Sequence, residues 1–190
     1  MQLFRKNLSK LSDEDLMSML AHGEHPAFDE LYKRFSQPMF NLFYRLLNSD
    51  REKAEDMLHD LFLKIIEHPE KFDHSFKFTT WIHTLAGNMI RNEYRSQTVR
   101  NEYSQHITRN HQKAEQLSDE LDKQLFDKKL QSELDKLEPE QRLLFHLRFV
   151  EEMNMKQIAQ IIDCPEGTVK SRLFYLTRHL ATKLFIYKPQ

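Results

Sequence analysis

Residues 154–184 constrain the fold most, because they spell out a short helix, a tight turn and a longer basic helix in immediate succession. Asn154 is a good N-cap, and Gln157 stands three residues on, as in a capping box. Ile158, Ala159, Ile161 and Ile162 give the short helix an apolar stripe. Asp163 tolerates a left-handed turn position, and Pro165 suits the entry to the next helix. At roughly 100° per residue, Val169, Leu173, Leu176 and Leu180 fall on one side of the second helix and face a core. Gly167, Ser171, Phe174, Tyr175 and Arg178 point away from it, flanked by Thr168 and Lys170. From Glu166 to the end, five Lys and Arg residues stand against one acid.

This is the layout of a helix-turn-helix whose second helix lies in the major groove of DNA. An ordinary helical hairpin with a solvated basic face would have the same spacing. The outward Phe174-Tyr175 pair argues against it, since aromatic rings on a basic face suit thymine methyls and sugars better than water. Lys170, Ser171 and Phe174 lie nearest the part of the helix that would enter the groove, so they are expected on bases. Arg172 and Arg178 flank it or lie further out, so they are expected on phosphates. The run Pro165-Glu166-Gly167-Thr168-Val169-Lys170-Ser171-Arg172-Leu173 resembles region 4 of the bacterial sigma-70 family, in its extracytoplasmic-function (ECF) group. The resemblance implies a −35 promoter element contacted by Thr168, Lys170, Ser171, Arg172, Phe174, Tyr175 and Arg178. The chain departs from the family at Tyr175-Leu176-Thr177, where Arg-Ala-Arg is usual.

A length of 190 residues allows one or two small domains. Only 3 glycines and long amphipathic stretches predict an all-α chain, and 39% hydrophobic residues are enough for folded cores. The net charge is −1, so any nucleic-acid binding must come from local patches. No apolar run approaches the roughly 18 residues of a membrane span, and no apolar segment follows the N-terminal charges as in a signal peptide. No membrane insertion is expected. The single cysteine, Cys164, sits in the turn of the helix-turn-helix as a small hydrophobe; it excludes internal disulfides and fits a reducing cytoplasm. The ten histidines are scattered, and His22 with His25 is the only close pair near a helix. No metal site, cofactor or catalytic constellation is expected.

Taken in order, Ser12-Asp13-Glu14-Asp15-Leu16 starts a short helix running to about Leu20. Pro26 opens another, with Phe28, Leu31, Tyr32 and Phe35 along one face. Pro38 is expected to interrupt it before Met39, Leu42, Phe43 and Leu46 continue the stripe. Asn48-Ser49-Asp50 caps a helix from Arg51 to about Glu67. Its core side is Ala54, Leu58, Leu61, Phe62 and Ile65. Its other side carries Asp56, His59, Asp60, Leu63 and Glu67, a composition that fits solvent and a basic partner surface alike. The segment Ala54–Ile65 resembles sigma region 2.2. That resemblance implies a surface of Asp56, His59, Asp60 and Leu63 for the clamp helices of the RNA polymerase β′ subunit, with His59 in place of the usual Gln.

Residues 68–78 form a loop holding Phe72, Phe76 and Phe78, which fit core plugs first and base-stacking platforms second. Thr79-Thr80-Trp81 then starts a helix to about Arg95, with Ile82, Leu85, Ala86 and Met89 inward. His83, Thr84, Gly87, Arg91 and Arg95 are expected outward, with Asn88 at the border. From Phe76 to Arg100, four Lys and Arg residues stand against Glu93 alone, the composition that holds single-stranded DNA. The pattern from Phe78 through Trp81, Ile82, Leu85, Ala86, Asn88 and Asn92 to Arg95 resembles sigma regions 2.3–2.4. It implies a −10 surface of Phe72, Phe76, Lys77, Trp81, His83, Thr84, Asn88, Arg91 and Arg95. Gly87 replaces a usual basic residue there, and Asn92 a usual Asp.

Residues 97–125 lose periodicity and read as a polar linker. Leu130, Leu134 and Leu137 mark the next helix. After Glu138-Pro139 the stripe Leu143, Leu144, Leu147 and Val150 marks another. The expected architecture is therefore all-α: an N-terminal helical extension (1–24), a region 2-like domain (25–98), a linker (99–125) and a region 4-like helix-turn-helix domain (126–190). The resemblance implies a cytoplasmic, non-enzymatic ECF sigma factor, monomeric when free. Its partners would be core RNA polymerase (β′ clamp helices and β flap), promoter DNA and an anti-sigma factor. The rival is a stand-alone dimeric helix-turn-helix regulator of duplex DNA. It leaves Trp81, the aromatic loop and Leu63 without a use.

Overall fold

The computed structural model describes residues 8–103 and 119–184, with side chains described for 8–97 and 125–184. Among the described residues there are eight α-helices and no strand: α1 (Asp13–Ala21), α2 (Pro26–Leu46), α3 (Arg51–Glu67), α4 (Phe78–Tyr103), α5 (Asp119–Leu134), α6 (Pro139–Phe149), α7 (Met155–Ile162) and α8 (Glu166–Leu184). The chain divides into two compact units, one drawn mainly from residues 1–90 and one mainly from 91–190. That division falls inside α4, ahead of the expected boundary at 98. Helix α4 runs five residues past 98 and α5 begins at Asp119, so both enter the span read as linker. Residues 104–118 lie outside the described residues.

In the first unit, the Ser12 hydroxyl caps α1 by accepting the Asp15 amide at 3.1 Å, and Asp13, Glu14 and Asp15 favour the positive end of the helix. Gly23, at φ +83°, closes the helix, with its amide on the Leu20 carbonyl at 2.9 Å. Leu16, Met17 and Leu20 are buried, so the segment read as an extension supplies core. Arg34 of α2 pins the start of this segment. Its guanidinium donates to Asp13 at 2.7 Å, to the Leu11 and Leu8 carbonyls at 3.0 and 3.1 Å, and to Glu30 at 2.9 Å.

Helix α2 is not interrupted at Pro38; it continues through it. An internal proline costs a helix about 3 kcal/mol. Leu31, Met39, Leu42, Phe43 and Leu46 are all buried on both sides of it. At roughly 1.5–3 kcal/mol for each large apolar side chain buried, packing outweighs the lost ladder bond. Asn48 and Ser49 take left-handed conformations, φ 57° and 61°, and Asp50 caps α3 by accepting the Lys53 amide at 3.2 Å. Helices α2 and α3 pack on one another, with the Tyr32 and Phe62 rings 4.7 Å apart. Ile82, Ala86 and Ile90 of α4 are buried, and Phe78 packs against Phe35 at 4.9 Å and Phe72 at 5.8 Å.

In the second unit, Gln141 accepts the Glu138 amide at 3.2 Å at the start of α6. Leu143, Leu144 and Leu147 are buried. Val150 is exposed because α6 has ended one residue earlier. The expected box at α7 is formed in both directions: Gln157 amide to Asn154 Oδ1 at 3.0 Å, and Asn154 amide to Gln157 Oε1 at 3.1 Å. Asp163 takes the left-handed turn at φ 52°. Val169, Leu173, Leu176, Leu180 and Leu184 are buried on α8, which packs against α5 and α6.

Glu133 of α5 is a buried carboxylate, with a side chain only 5% exposed. The Lys136 ammonium at 2.8 Å and the Lys129 ammonium at 3.0 Å pull its pKa down to about 2. A folded-state pKa below the unfolded one gives stability that is fully present above the unfolded value and is lost as pH falls through the folded one. The second unit should therefore lose this contribution progressively as pH falls from about 4.5 towards 2. Urea unfolding of the wild type and Glu133→Gln across that window checks it. The gap between the two proteins should be widest near neutrality and should close in acid.

Candidate nucleic-acid interface

Three surfaces carry the residues singled out in the sequence. On α3, Asp56, His59, Asp60 and Leu63 are all exposed, and their spacing places them along one stripe of the helix. Leu63 is 41% exposed among them. Tyr32 of α2, placed on one face with Phe28, Leu31 and Phe35, is 44% exposed while its ring packs on Phe62, the residue before Leu63. An aromatic inside an apolar stripe gave no sign that one of its faces would stay open.

The loop and α4 sort their candidates into two groups. Phe72 is buried, edge-on to Trp81 at 5.3 Å, so it is a core plug. Phe76 and Lys77 are exposed, and Trp81 is half-buried. The Asp73 carboxylate accepts the Ser75 amide at 2.8 Å, and this backbone bond, followed by the Ser75 side chain, holds its pKa below the usual value. His83 does not face outward. It is 1% exposed, with Nδ1 hydrogen-bonded to the Thr79 carbonyl at 2.7 Å. Gly87 is buried too. The reason is a broader buried arc than the sequence implied, since Thr80, His83, Gly87 and Ile90 form a second buried line beside Ile82 and Ala86. Thr84, Asn88, Arg91 and Arg95 remain as one stripe along α4. Asn88 and Arg95 are exposed, Thr84 and Arg91 half-buried.

On α8 the division expected from the angles is met. Lys170, Ser171, Arg172, Phe174, Tyr175 and Arg178 are exposed, and Thr168 is half-buried. Phe174 and Tyr175 are 59% and 67% exposed and lie edge-on at 5.5 Å. The Ser171 hydroxyl donates to the Thr168 carbonyl at 3.0 Å, which leaves its oxygen as an acceptor facing out. Arg172 pairs with Glu140 of α6 at 3.4 Å, a contact the sequence did not suggest. Of the three residues that depart from the family, Tyr175 offers its side chain to solvent, whereas Leu176 is buried and the Thr177 hydroxyl turns back onto the Leu173 carbonyl at 2.8 Å. Gly167 is exposed in the first turn, and a Cβ added there would meet nothing within 4 Å among the described residues. The outer face thus joins cations, a hydroxyl acceptor and two aromatic rings, which suits base edges flanked by phosphates.

Among the described residues no group of three or more His, Cys, Asp and Glu is placed to hold a metal ion, and Cys164 is half-buried in the turn. No described helix is long and apolar enough to cross a membrane.

Residues 31–100 match the family model for Sigma-70 region 2, and residues 127–174 match that for Sigma-70, region 4. The ECF RNA polymerase sigma-E factor of Haemophilus influenzae is 25% identical over 189 residues, covering 92% of this chain and 96% of the relative. The ECF RNA polymerase sigma factor SigW of Bacillus subtilis is 24% identical over 160 residues, covering 80% and 85%. Among solved structures, the sigma factor RpoE of Bartonella quintana, in complex with the anti-sigma factor NepR, has a similar fold. Its TM-score is 0.65 at 20% identity, over 85% of this chain and 98% of that one. CnrH, in complex with the cytosolic domain of CnrY, gives a TM-score of 0.67 at 20% identity, over 92% and 97%.

Proposed function

The chain belongs to the sigma-70 family, and we propose that it is an ECF-type RNA polymerase sigma factor, which binds core polymerase, recognises −10 and −35 promoter elements and directs transcription initiation. One observation carries the reading. A region 2 match and a region 4 match follow each other on one chain, and the second runs into α8, a helix with an outward basic and aromatic face. A stand-alone duplex-binding regulator would account for α7 and α8 but not for residues 31–100.

Within this reading, Asp56, His59, Asp60 and Leu63 dock on the β′ clamp helices, with Tyr32 beside them. Phe76, Lys77, Trp81, Thr84, Asn88, Arg91 and Arg95 hold the opened −10 strand, by ring stacking and by charge. His83 and Phe72 serve the fold instead, because both are buried. Thr168, Lys170, Ser171, Arg172, Phe174, Tyr175 and Arg178 read the −35 duplex. The functional division follows 25–98 and 126–190, with 99–125 as connector, and region 4 also meets the β flap. The polymerase performs the chemistry, so the chain is not an enzyme, and it works in the cytoplasm with its core. The anti-sigma complexes of the RpoE and CnrH neighbours support an anti-sigma factor as a further partner.

The test is run-off transcription on genomic fragments with purified core polymerase. Discrete transcripts that appear only when this protein is added are the expected result. Core that gains no promoter-specific transcript from it would sink the reading.

A further inference from the structure

Helix α4 begins without a cap of its own. The Trp81 amide bonds to the Lys77 carbonyl at 3.1 Å, so Lys77 occupies the N-cap position. Its side chain is an ammonium and has no acceptor to offer the leading amides. The acceptor comes from elsewhere in the chain. Oε1 of Glu14, on α1 and 64 positions earlier, takes the Phe78 amide at 3.0 Å. The same oxygen lies 3.8 Å from the Lys77 ammonium. A carboxylate at this end of a helix is favoured by the helix dipole and makes a charge-assisted bond.

Helix α1 is itself held in place on two sides. Arg34 binds Asp13 and the Leu8 and Leu11 carbonyls ahead of it. The helix also packs against the turn Pro69–Lys71, where the aromatic loop begins. Glu14 thus stands on a fixed element and grips the point where the loop passes into α4. The region 2 match starts at residue 31, so Glu14 lies outside it.

We propose that Glu14 is a positioning residue for the −10 surface. By capping α4 from α1, it sets where Phe76, Lys77 and Trp81 stand for the unpaired strand. The N-terminal helix is then part of the strand-capturing apparatus and not an appendage to it. This rests on the sigma-factor reading given above.

The experiment uses full-length wild type, Glu14→Gln and Glu14→Ala, each bound to core polymerase. Two quantities are read: affinity for core, and affinity of the assembled holoenzyme for a single-stranded oligonucleotide carrying the non-template −10 sequence. Glutamine keeps the acceptor for the Phe78 amide, whereas alanine removes it. Glu14→Ala should bind the oligonucleotide at least fivefold more weakly, Glu14→Gln should stay within about threefold of wild type, and both should bind core as wild type does. Unchanged oligonucleotide binding by Glu14→Ala overturns the proposal. So does an equal loss of core and oligonucleotide binding, which marks a general structural role, and so does a glutamine variant as weak as alanine. A wild-type protein that binds neither core nor the oligonucleotide overturns the sigma-factor reading itself, and is told apart by that.

Discussion

Leu63→Arg is expected to weaken association with core RNA polymerase by roughly thirtyfold or more, about 2 kcal/mol, the loss that marks a hot-spot side chain at the centre of an interface. Leu63 is 41% exposed on α3 and lies in line with Asp56 and Asp60. An apolar side chain between two acids fits a partner surface that is basic at its edges and apolar at its centre. Arginine acts in two ways there. It removes the apolar contact, and it sets a cation one helical turn from Asp60, where it would draw in the carboxylate otherwise offered to the partner. Neither effect reaches the core of the unit, so the unfolding free energy should change by no more than about 0.5 kcal/mol. Competition binding to core, paired with a thermal melt, checks both halves. A variant that binds core as tightly as the wild type would mean that this stripe of α3 is solvated surface and that core docks elsewhere.

The second expectation is a split between two substitutions on α8. Lys170→Ala should cost about 1–3 kcal/mol at one −35 position and leave other positions unaffected, as the loss of a base contact does. Arg178→Ala should weaken every promoter together and reduce the salt slope by about one unit, as the loss of a phosphate contact does. Both residues are exposed on the outer face, so neither substitution disturbs the buried line Val169, Leu173, Leu176 and Leu180. They differ in distance from the end that enters the groove: Lys170 lies in the first turns of the helix, and Arg178 two turns further on. A panel of −35 point mutants, transcribed with each variant at two salt concentrations, separates the cases. If Lys170→Ala lowers all promoters equally while Arg178→Ala changes preference at one base, the roles are reversed.

Local signals were legible in the sequence wherever the physics was local. The Asn154–Gln157 box, the Asp50 and Ser12 caps, the left-handed Asp163 and the inward line of α8 all depend on residues within a few positions of one another, and each is present. Pro38 was misread because its effect on α2 is decided by burial against other helices, which a one-dimensional pattern does not carry. His83 was misplaced for a related reason. Counting angles gives one inward face, but α4 is covered over a wider arc, and the His83 ring is bonded to the Thr79 carbonyl of its own helix. The polar contacts that lock the first unit, Arg34 with Leu8 and Asp13, and Glu14 with Phe78, join residues 21 to 64 positions apart. An exposed-looking arginine and one acid among three give no hint of such partners. The outward faces of α3 and α8 were legible because their helices were, whereas the open face of Tyr32 depends on how much of the ring Phe62 covers.

Gly167 bears on the trade between stability and use. It occupies the first turn of α8 with no positive φ, and an added Cβ would touch nothing among the described residues. Folding gains nothing from a glycine there, since glycine in a helix is worse than alanine by up to about 1 kcal/mol. Domains are only about 5–15 kcal/mol stable in total, so that is a measurable concession. No contact among the described residues calls for it. What the absent methyl leaves is room for close approach, on the helix face that also carries Ser171, Phe174 and Arg178. On the proposed reading of α8, a methyl added at Gly167 would stand on the face offered to DNA, so a gain in helix stability there would be set against close approach of the duplex.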